Sequence, residues 1–230
     1  MKVGIIGCGN MGSAIACGLI DKNILSAEEV LLSDKDREKV KKVTEITGSE
    51  GILSEELIKR CEIILLAVKP QDSVLLLEEI KKDIKDQVVI SIMAGVKISD
   101  ITNVIGREVP IVRAMPNMAA FIGQSVTGIC FSAAVKDKDK IKKLFESIGD
   151  VVEVEEPQMD AVTALSGSGP AYLFYLAKAM INAGTEMGMD KDKSEKLVID
   201  TLAGAANLLK NMGVSPEELI KKVASKGGTT

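Results

Sequence analysis

Residues 2–6, KVGII, run without interruption into Gly7-Cys8-Gly9-Asn10-Met11-Gly12 and then into a stretch of helical period. Few geometries place three glycines at this spacing between a strand and a helix. The first permits a tight turn, the second lets backbone N–H groups approach a pyrophosphate, and the third lets the helix pack closely on the strand. A helix that starts there presents unpaired donors and about half a positive charge to phosphate oxygens. A purely structural turn needs one such glycine rather than all of them. Ala14, Ile15, Gly18 and Leu19 keep helical spacing behind the loop. Gly7, Cys8, Gly9, Asn10, Met11 and Gly12 are therefore expected to cradle a dinucleotide.

Short β-branched runs alternate with amphipathic stretches as far as about residue 154. Candidate strands are 2–6, 30–33, 62–68, 88–93, 111–114, 126–131 and 151–154, and the early candidate helices are 10–22, 36–46, 55–59 and 73–84. This alternation predicts an α/β fold, a Rossmann-type doubly wound and mostly parallel sheet over residues 1–156. ILLAV and VVISI are continuously apolar, as central strands buried on both faces must be. From Asp160 to Lys222 no strand pattern occurs, and Leu173, Leu176, Ala177, Met180, Ile181 and Gly184 recur at helical spacing. In SPEEL, Ser215 is placed to cap a helix with proline at its first position. Residues 157–230 are expected to be all helical.

The end of the second candidate strand, LLSDKD, bears on the choice between NAD and NADP. Asp34 stands where an acid would bind the adenosine ribose and favour NAD. Ser33 and Lys35 could instead meet a 2′-phosphate if Asp34 points outward and Lys35 inward. Ser33 or Asp34 could also simply cap the next helix. The turn is read in favour of NADP, with NAD left open.

Further turns fall where strands should end: AVKPQ (67–71), SIMAGV (91–96), RAMPNM (113–118) and LSGSGPAY (165–172). The carboxyl ends of parallel strands form the ligand crevice, so Ala67, Val68, Lys69 and Pro70, with Ala94 and Gly95, are expected beside the nicotinamide half of a cofactor. Ordinary turns would also use proline and glycine here. Gly-Ser-Gly-Pro at the head of, or inside, an apolar helix costs about 1 kcal/mol per glycine and about 3 for an interior proline. Such a sequence suggests close approach of a backbone or ligand.

The chain contains no histidine, which removes Ser-His and Cys-His nucleophiles and the commonest general acid. Cys8, Cys17, Cys61 and Cys130 show no metal-ligand spacing, so no metal is expected and the thiols are read as small hydrophobes. A net charge of −4 argues against a nucleic-acid partner, and the lysine clusters at 39–42 and 136–143 are read as solvated helix faces. The apolar runs are too short to span a bilayer, and no signal-peptide pattern precedes the first strand. A cytoplasmic location is expected, with no membrane partner.

Together GIIGCGNMGSAI, AVKPQ, SIMAGV, MPN, TALSGSGPAY and the terminal GGTT, in this order, resemble the pyrroline-5-carboxylate reductase family across essentially the whole chain. The resemblance implies NAD(P)H-dependent reduction of 1-pyrroline-5-carboxylate to L-proline, the last step of proline biosynthesis. It also implies a helical dimerisation domain, a homodimer often assembled further into a decamer, and an active site between one subunit's cofactor domain and helical-domain residues, including the neighbour's. By the same resemblance Gly227, Gly228 and Thr229 meet the substrate carboxylate, and Thr230 donates to or orients the imine nitrogen. Ser166, Gly167, Ser168, Gly169 and Pro170 line the pocket with Asn117 near them. Ser33 and Lys35 match the ribose-phosphate turn, and Ser54 stands near the adenosine. Lys226 occupies a position where the family commonly has proline, and is expected to project into solvent. Family members continue past this loop with a further helical segment, and without it an apolar patch is expected to be exposed. A reductase of another imine or of a β-hydroxyacid, with Lys178 or Lys210 as its acid–base, and a non-catalytic dinucleotide-binding module are the alternative readings.

Overall fold

In the computed structural model residues 1–224 and residue 228 are described. The chain divides into two compact units, Met1–Pro170 and Ala171–Thr230. The first unit holds β1 (Val3–Ile6), α1 (Asn10–Asp21), β2 (Val30–Ser33), α2 (Arg37–Thr47), β3 (Glu50–Gly51) and α3 (Ser54–Arg60). It continues with β4 (Ile63–Leu66), α4 (Ser73–Ile80), β5 (Val88–Ser91), α5 (Ile98–Ile105), β6 (Ile111–Met115) and β7 (Ser125–Phe131). α6 (Lys138–Glu146), β8 (Gly149–Glu153) and α7 (Met159–Val162) complete the series.

The strands form one sheet in the order β3-β2-β1-β4-β5-β6-β7-β8. Every neighbouring pair is parallel except β6 with β7. The alternation of side chains along each strand explains why the apolar runs are unbroken. Ile63 and Leu65 of β4 pack with Ala14, Ile15 and Leu19 of α1 and Leu144 of α6 on one face. Ile64 and Leu66 pack with Leu57 of α3, Leu77 of α4 and Ile101 of α5 on the other. A strand in such a position meets a hydrophobic core above and below, so polar residues have no place in it.

The expected mostly parallel α/β architecture is observed, with differences at its edges. β3 is too short, at two residues, to leave a periodic signal. β4 and β5 end at Leu66 and Ser91, two residues before the expected ends; the Ala67 and Ile92 amides still bond to the Ile6 and Leu66 carbonyls, and the chain turns away after them. The polar faces of the lysine clusters lie on α2 and α6, where Lys138 and Lys142 both pair with Glu153.

The second unit is helical. α8 (Gly169–Glu186) begins at the end of the first unit and leads to α9 (Lys191–Met212) and α10 (Pro216–Val223). Ser215 caps α10, its hydroxyl accepting from the Glu218 amide at 3.2 Å, with Pro216 at the first helical position. Gly184 lets α8 approach α9, since a Cβ there would lie 2.7 Å from Ser194 Oγ. α8 buries none of its residues, and Leu173, Phe174 and Leu176 are all exposed. Its apolar residues keep the helical spacing expected of a core helix, yet nothing among the described residues covers Leu173, Phe174 and Leu176. Among the described residues no helix is long and apolar enough to cross a membrane.

Candidate active site

The carboxyl ends of β1, β2 and β4 lie side by side, and β1 and β4 are the strands at which the direction of winding reverses. Gly7 leaves β1 with φ +110°, and a Cβ there would lie 2.5 Å from the Ala67 carbonyl oxygen. At Gly12 a Cβ would collide with the Gly7 carbonyl oxygen. Gly9 is different. Its backbone is extended, at φ −74° and ψ −172°, and nothing lies within 4 Å of the place a Cβ would take. Two glycines are thus required by the protein's own packing, whereas the third keeps open space beside the start of α1. No side chain caps α1, so the first-turn N–H groups of Asn10, Met11 and Gly12 lack intrahelical acceptors. Open space beside unpaired donors at a helix start fits the pyrophosphate of a dinucleotide.

The turn after β2 departs from the arrangement considered for NADP. Asp34 faces inward: Oδ2 accepts the Cys8 amide at 2.7 Å and Oδ1 accepts the Asp36 amide at 2.8 Å. Its carboxylate ties the glycine loop to this turn. Lys35 extends to Asp72, with Nζ 3.1 Å from Oδ2. Neither Ser33 nor Asp34 caps α2; Asp36 does, through the Glu38 amide. Ser33 is buried and shares a hydrogen bond of 3.0 Å with Ser54 Oγ, so these two predicted adenosine-side residues are in contact. Arg37, which was not singled out from sequence, lines a cavity with Asp34 and Leu53. Its position two residues after Lys35 was a usable signal.

On the other side of β1, Ala67, Val68, Lys69 and Pro70 form the turn after β4, and Ala94 and Gly95 are exposed after β5. Gly95 has φ +76° with open space around it.

Asn117 and Ser166, distant in sequence, are joined. Asn117 Nδ2 donates to Ser166 Oγ at 3.0 Å, and Ser166 Oγ donates to the Val126 carbonyl at 2.8 Å. Asn117 Oδ1 accepts the Ala119 amide, which fixes the orientation of its side chain. Ser166 and Gly167 belong to a π-type turn over Thr163–Gly167, and a Cβ at Gly167 would lie 2.5 Å from Met115 Cε. Such turns recur at functional sites because they re-aim a helix. Gly169 and Pro170 follow in the first turn of α8, so the proline escapes the interior penalty considered from sequence. Gly228 is exposed, whereas Gly227, Thr229 and Thr230, with Lys226, lie outside the described residues.

Arg113 carries a role that sequence reasoning missed. Its nearly buried guanidinium lies 3.6 Å from Glu156 and 3.7 Å from Asp160. Glu156 also accepts the Ile98 amide at 2.7 Å. This strut connects β6, the start of α5 and the turn before α7. A buried charge in a strand of continuous apolar pattern gives no periodic signal, although RAMPN contained it.

The cysteines are free thiols, and three of the four are buried. Burial, with the nearby Asp34 charge adding to it, pushes the Cys8 thiol up to about 12. Burial likewise raises Cys61 and Cys130 to about 11. The folded state therefore favours the neutral thiol. Stability from this source is complete below the ordinary thiol value of 9.0 and is lost as pH rises toward the folded values. The urea midpoint is expected to fall between about pH 8 and about pH 10.5, and to fall less steeply in Cys8→Ala. Equal slopes in the two proteins would contradict this.

Residues 156–230 match the family description "Pyrroline-5-carboxylate reductase dimerisation", and residues 2–95 match "NADP oxidoreductase coenzyme F420-dependent". Over its whole length the chain is 37% identical to pyrroline-5-carboxylate reductase 2 of Bacillus subtilis, covering 84% of that protein. The chain belongs to the pyrroline-5-carboxylate reductase family. The Aquifex aeolicus pyrroline-5-carboxylate reductase is 38% identical over the whole chain, with 86% of its own length covered. The solved structure of the Plasmodium falciparum pyrroline carboxylate reductase, which has NADP bound, superposes with a TM-score of 0.89 at 32% identity. That likeness covers 99% of this chain and 86% of the other. Membership in this family accounts for the uncovered apolar face of α8, which falls within the region matched as a dimerisation domain.

Proposed function

We propose that this protein reduces 1-pyrroline-5-carboxylate to L-proline, as a homodimer in the cytoplasm, with NADPH as the preferred donor and NADH usable. The observation that carries the reading is full-length similarity to enzymes named for that reaction. The open space at Gly9 supports it from the protein's own geometry. When bound, the dinucleotide supplies a hydride. The chain's own work is to bind, orient and exclude competitors, because a cyclic imine protonated on nitrogen is already electrophilic at carbon. The absence of histidine is then no handicap.

In this reading residues 1–156 form the cofactor domain and 157–230 the substrate and dimerisation domain. Gly7, Cys8, Gly9, Asn10, Met11 and Gly12 hold the pyrophosphate, with Cys8 acting through its amide tie to Asp34. Ser33, Asp34, Lys35 and Ser54 serve the adenosine end, and Ala67, Val68, Lys69, Pro70, Ala94 and Gly95 flank the nicotinamide. Asn117 holds the Ser166 hydroxyl so that the turn from Ser166 to Pro170 presents a fixed wall to substrate. Gly227, Gly228 and Thr229 take the substrate carboxylate, and Thr230 orients the imine nitrogen, its hydroxyl oxygen accepting from the N–H of the protonated imine. No metal has a part.

Purified protein mixed with NADPH and 1-pyrroline-5-carboxylate tests this directly. Loss of the reduced-nicotinamide absorbance that depends on both compounds and survives EDTA is the expected result. Tight NADPH binding without turnover in an intact dimer would overturn it.

A further inference from the structure

The geometry points to Asp72 as a specificity-determining residue: it holds Lys35 in a bridge across the adenosine end of the glycine loop and competes there with a 2′-phosphate. This rests on the NADP(H) reading above and concerns the same site. Lys35 follows β2, and Asp72 ends the turn after β4. In the sheet those strands flank β1 on its two sides, so a bond between their ends passes over the end of β1, where the glycine loop begins. The two side chains meet at 3.1 Å although they are 37 positions apart in sequence.

Asp34, Asp36 and Lys39 in this corner are already engaged. Asp34 is tied to the Cys8 and Asp36 amides, and Lys39 lies 3.8 Å from Asp36. Arg37 lines the cavity beside Asp34 as a second cation of this turn, and Lys35 is the one held in an ion pair whose partner can be exchanged. Its ammonium is widely exposed, so the pair is a weak one that a dianionic phosphate can displace. A dinucleotide lacking the 2′-phosphate has no group to take Asp72's place. The bridge therefore taxes NADPH binding alone, and removing Asp72 raises discrimination in favour of NADPH.

Calorimetric titration with NADPH, NADH and 2′,5′-ADP reads the effect without turnover. Asp72→Asn is expected to tighten NADPH and 2′,5′-ADP about two- to fivefold and to leave NADH nearly unchanged. Lys35→Met is expected to weaken NADPH about tenfold. In the Lys35→Met background, Asp72→Asn should have no further effect, as required for a residue that acts through its partner. An unchanged NADPH affinity in Asp72→Asn, or equal tightening of NADH, would overturn the inference. So would full tightening in the Lys35→Met background, which would show plain repulsion between Asp72 and phosphate. A wild-type protein that binds NADH but not NADPH or 2′,5′-ADP overturns the NADP(H) reading itself, and the inference with it.

Discussion

Gly9→Ala is expected to weaken NADPH binding about a hundredfold while leaving the urea midpoint nearly unchanged; Gly12→Ala is expected to destabilise the fold. The same methyl group is added at two positions of one glycine loop, and the two outcomes separate a ligand's space from the protein's. At Gly9 the backbone is extended and the Cβ position is open. Alanine fits there at a cost of well under about 1 kcal/mol to the helix start. It occupies the space a pyrophosphate needs, and losing two charge-assisted contacts at about 1.5 kcal/mol each amounts to about a hundredfold in Kd. At Gly12 the methyl group meets the Gly7 carbonyl oxygen, a backbone atom that cannot rotate away. α1 must then lift from β1 and Ala67, disturbing a core that includes Ile15 and Leu19, at about 3 kcal/mol. Chemical denaturation and calorimetry on both variants check the pair. A Gly9→Ala protein with wild-type affinity would show that the open space is not the cofactor's.

Thr230→Val is expected to lower kcat about a hundredfold with NADPH affinity intact, and Thr230→Ser to restore most of the rate. Valine matches the shape of threonine and removes only the hydroxyl. A hydroxyl that holds the imine N–H in place and can donate to the nitrogen lone pair as hydride transfer creates it contributes about as much as one oxyanion-hole donor, roughly a hundredfold or more. An effect confined to KM would instead make Thr230 a binding residue, because uniform binding leaves kcat unchanged. Steady-state kinetics on the three proteins distinguishes these outcomes.

The sheet was legible in the sequence because burial on both faces leaves an unmistakable apolar run, as in Ile63–Leu66 between α1 and α4. β3 was not, since two exposed residues carry no period. The glycine loop declared itself through spacing, yet spacing could not say which glycine serves packing and which serves a ligand. That distinction needed the neighbours: the Ala67 and Gly7 carbonyls press on Gly7 and Gly12, and nothing presses on Gly9. The direction of Asp34 was equally out of reach, because a carboxylate near a loop can face either side until the Cys8 amide is seen to take it. Asn117 and Ser166 were both named from motif, but their contact spans 49 residues of chain and no local pattern encodes it. The Arg113 strut was hidden for the opposite reason. A charge in a buried strand breaks the pattern, and only Glu156 and Asp160 explain how it is tolerated.

The most direct measurement follows the hydride itself. NADPH carrying two deuterium atoms at its transferring carbon is mixed with 1-pyrroline-5-carboxylate and the protein, and the proline formed is weighed by mass spectrometry. One deuterium on the former imine carbon is the expected result. Proline without the label, or none formed while the cofactor remains bound and reduced, would contradict the account.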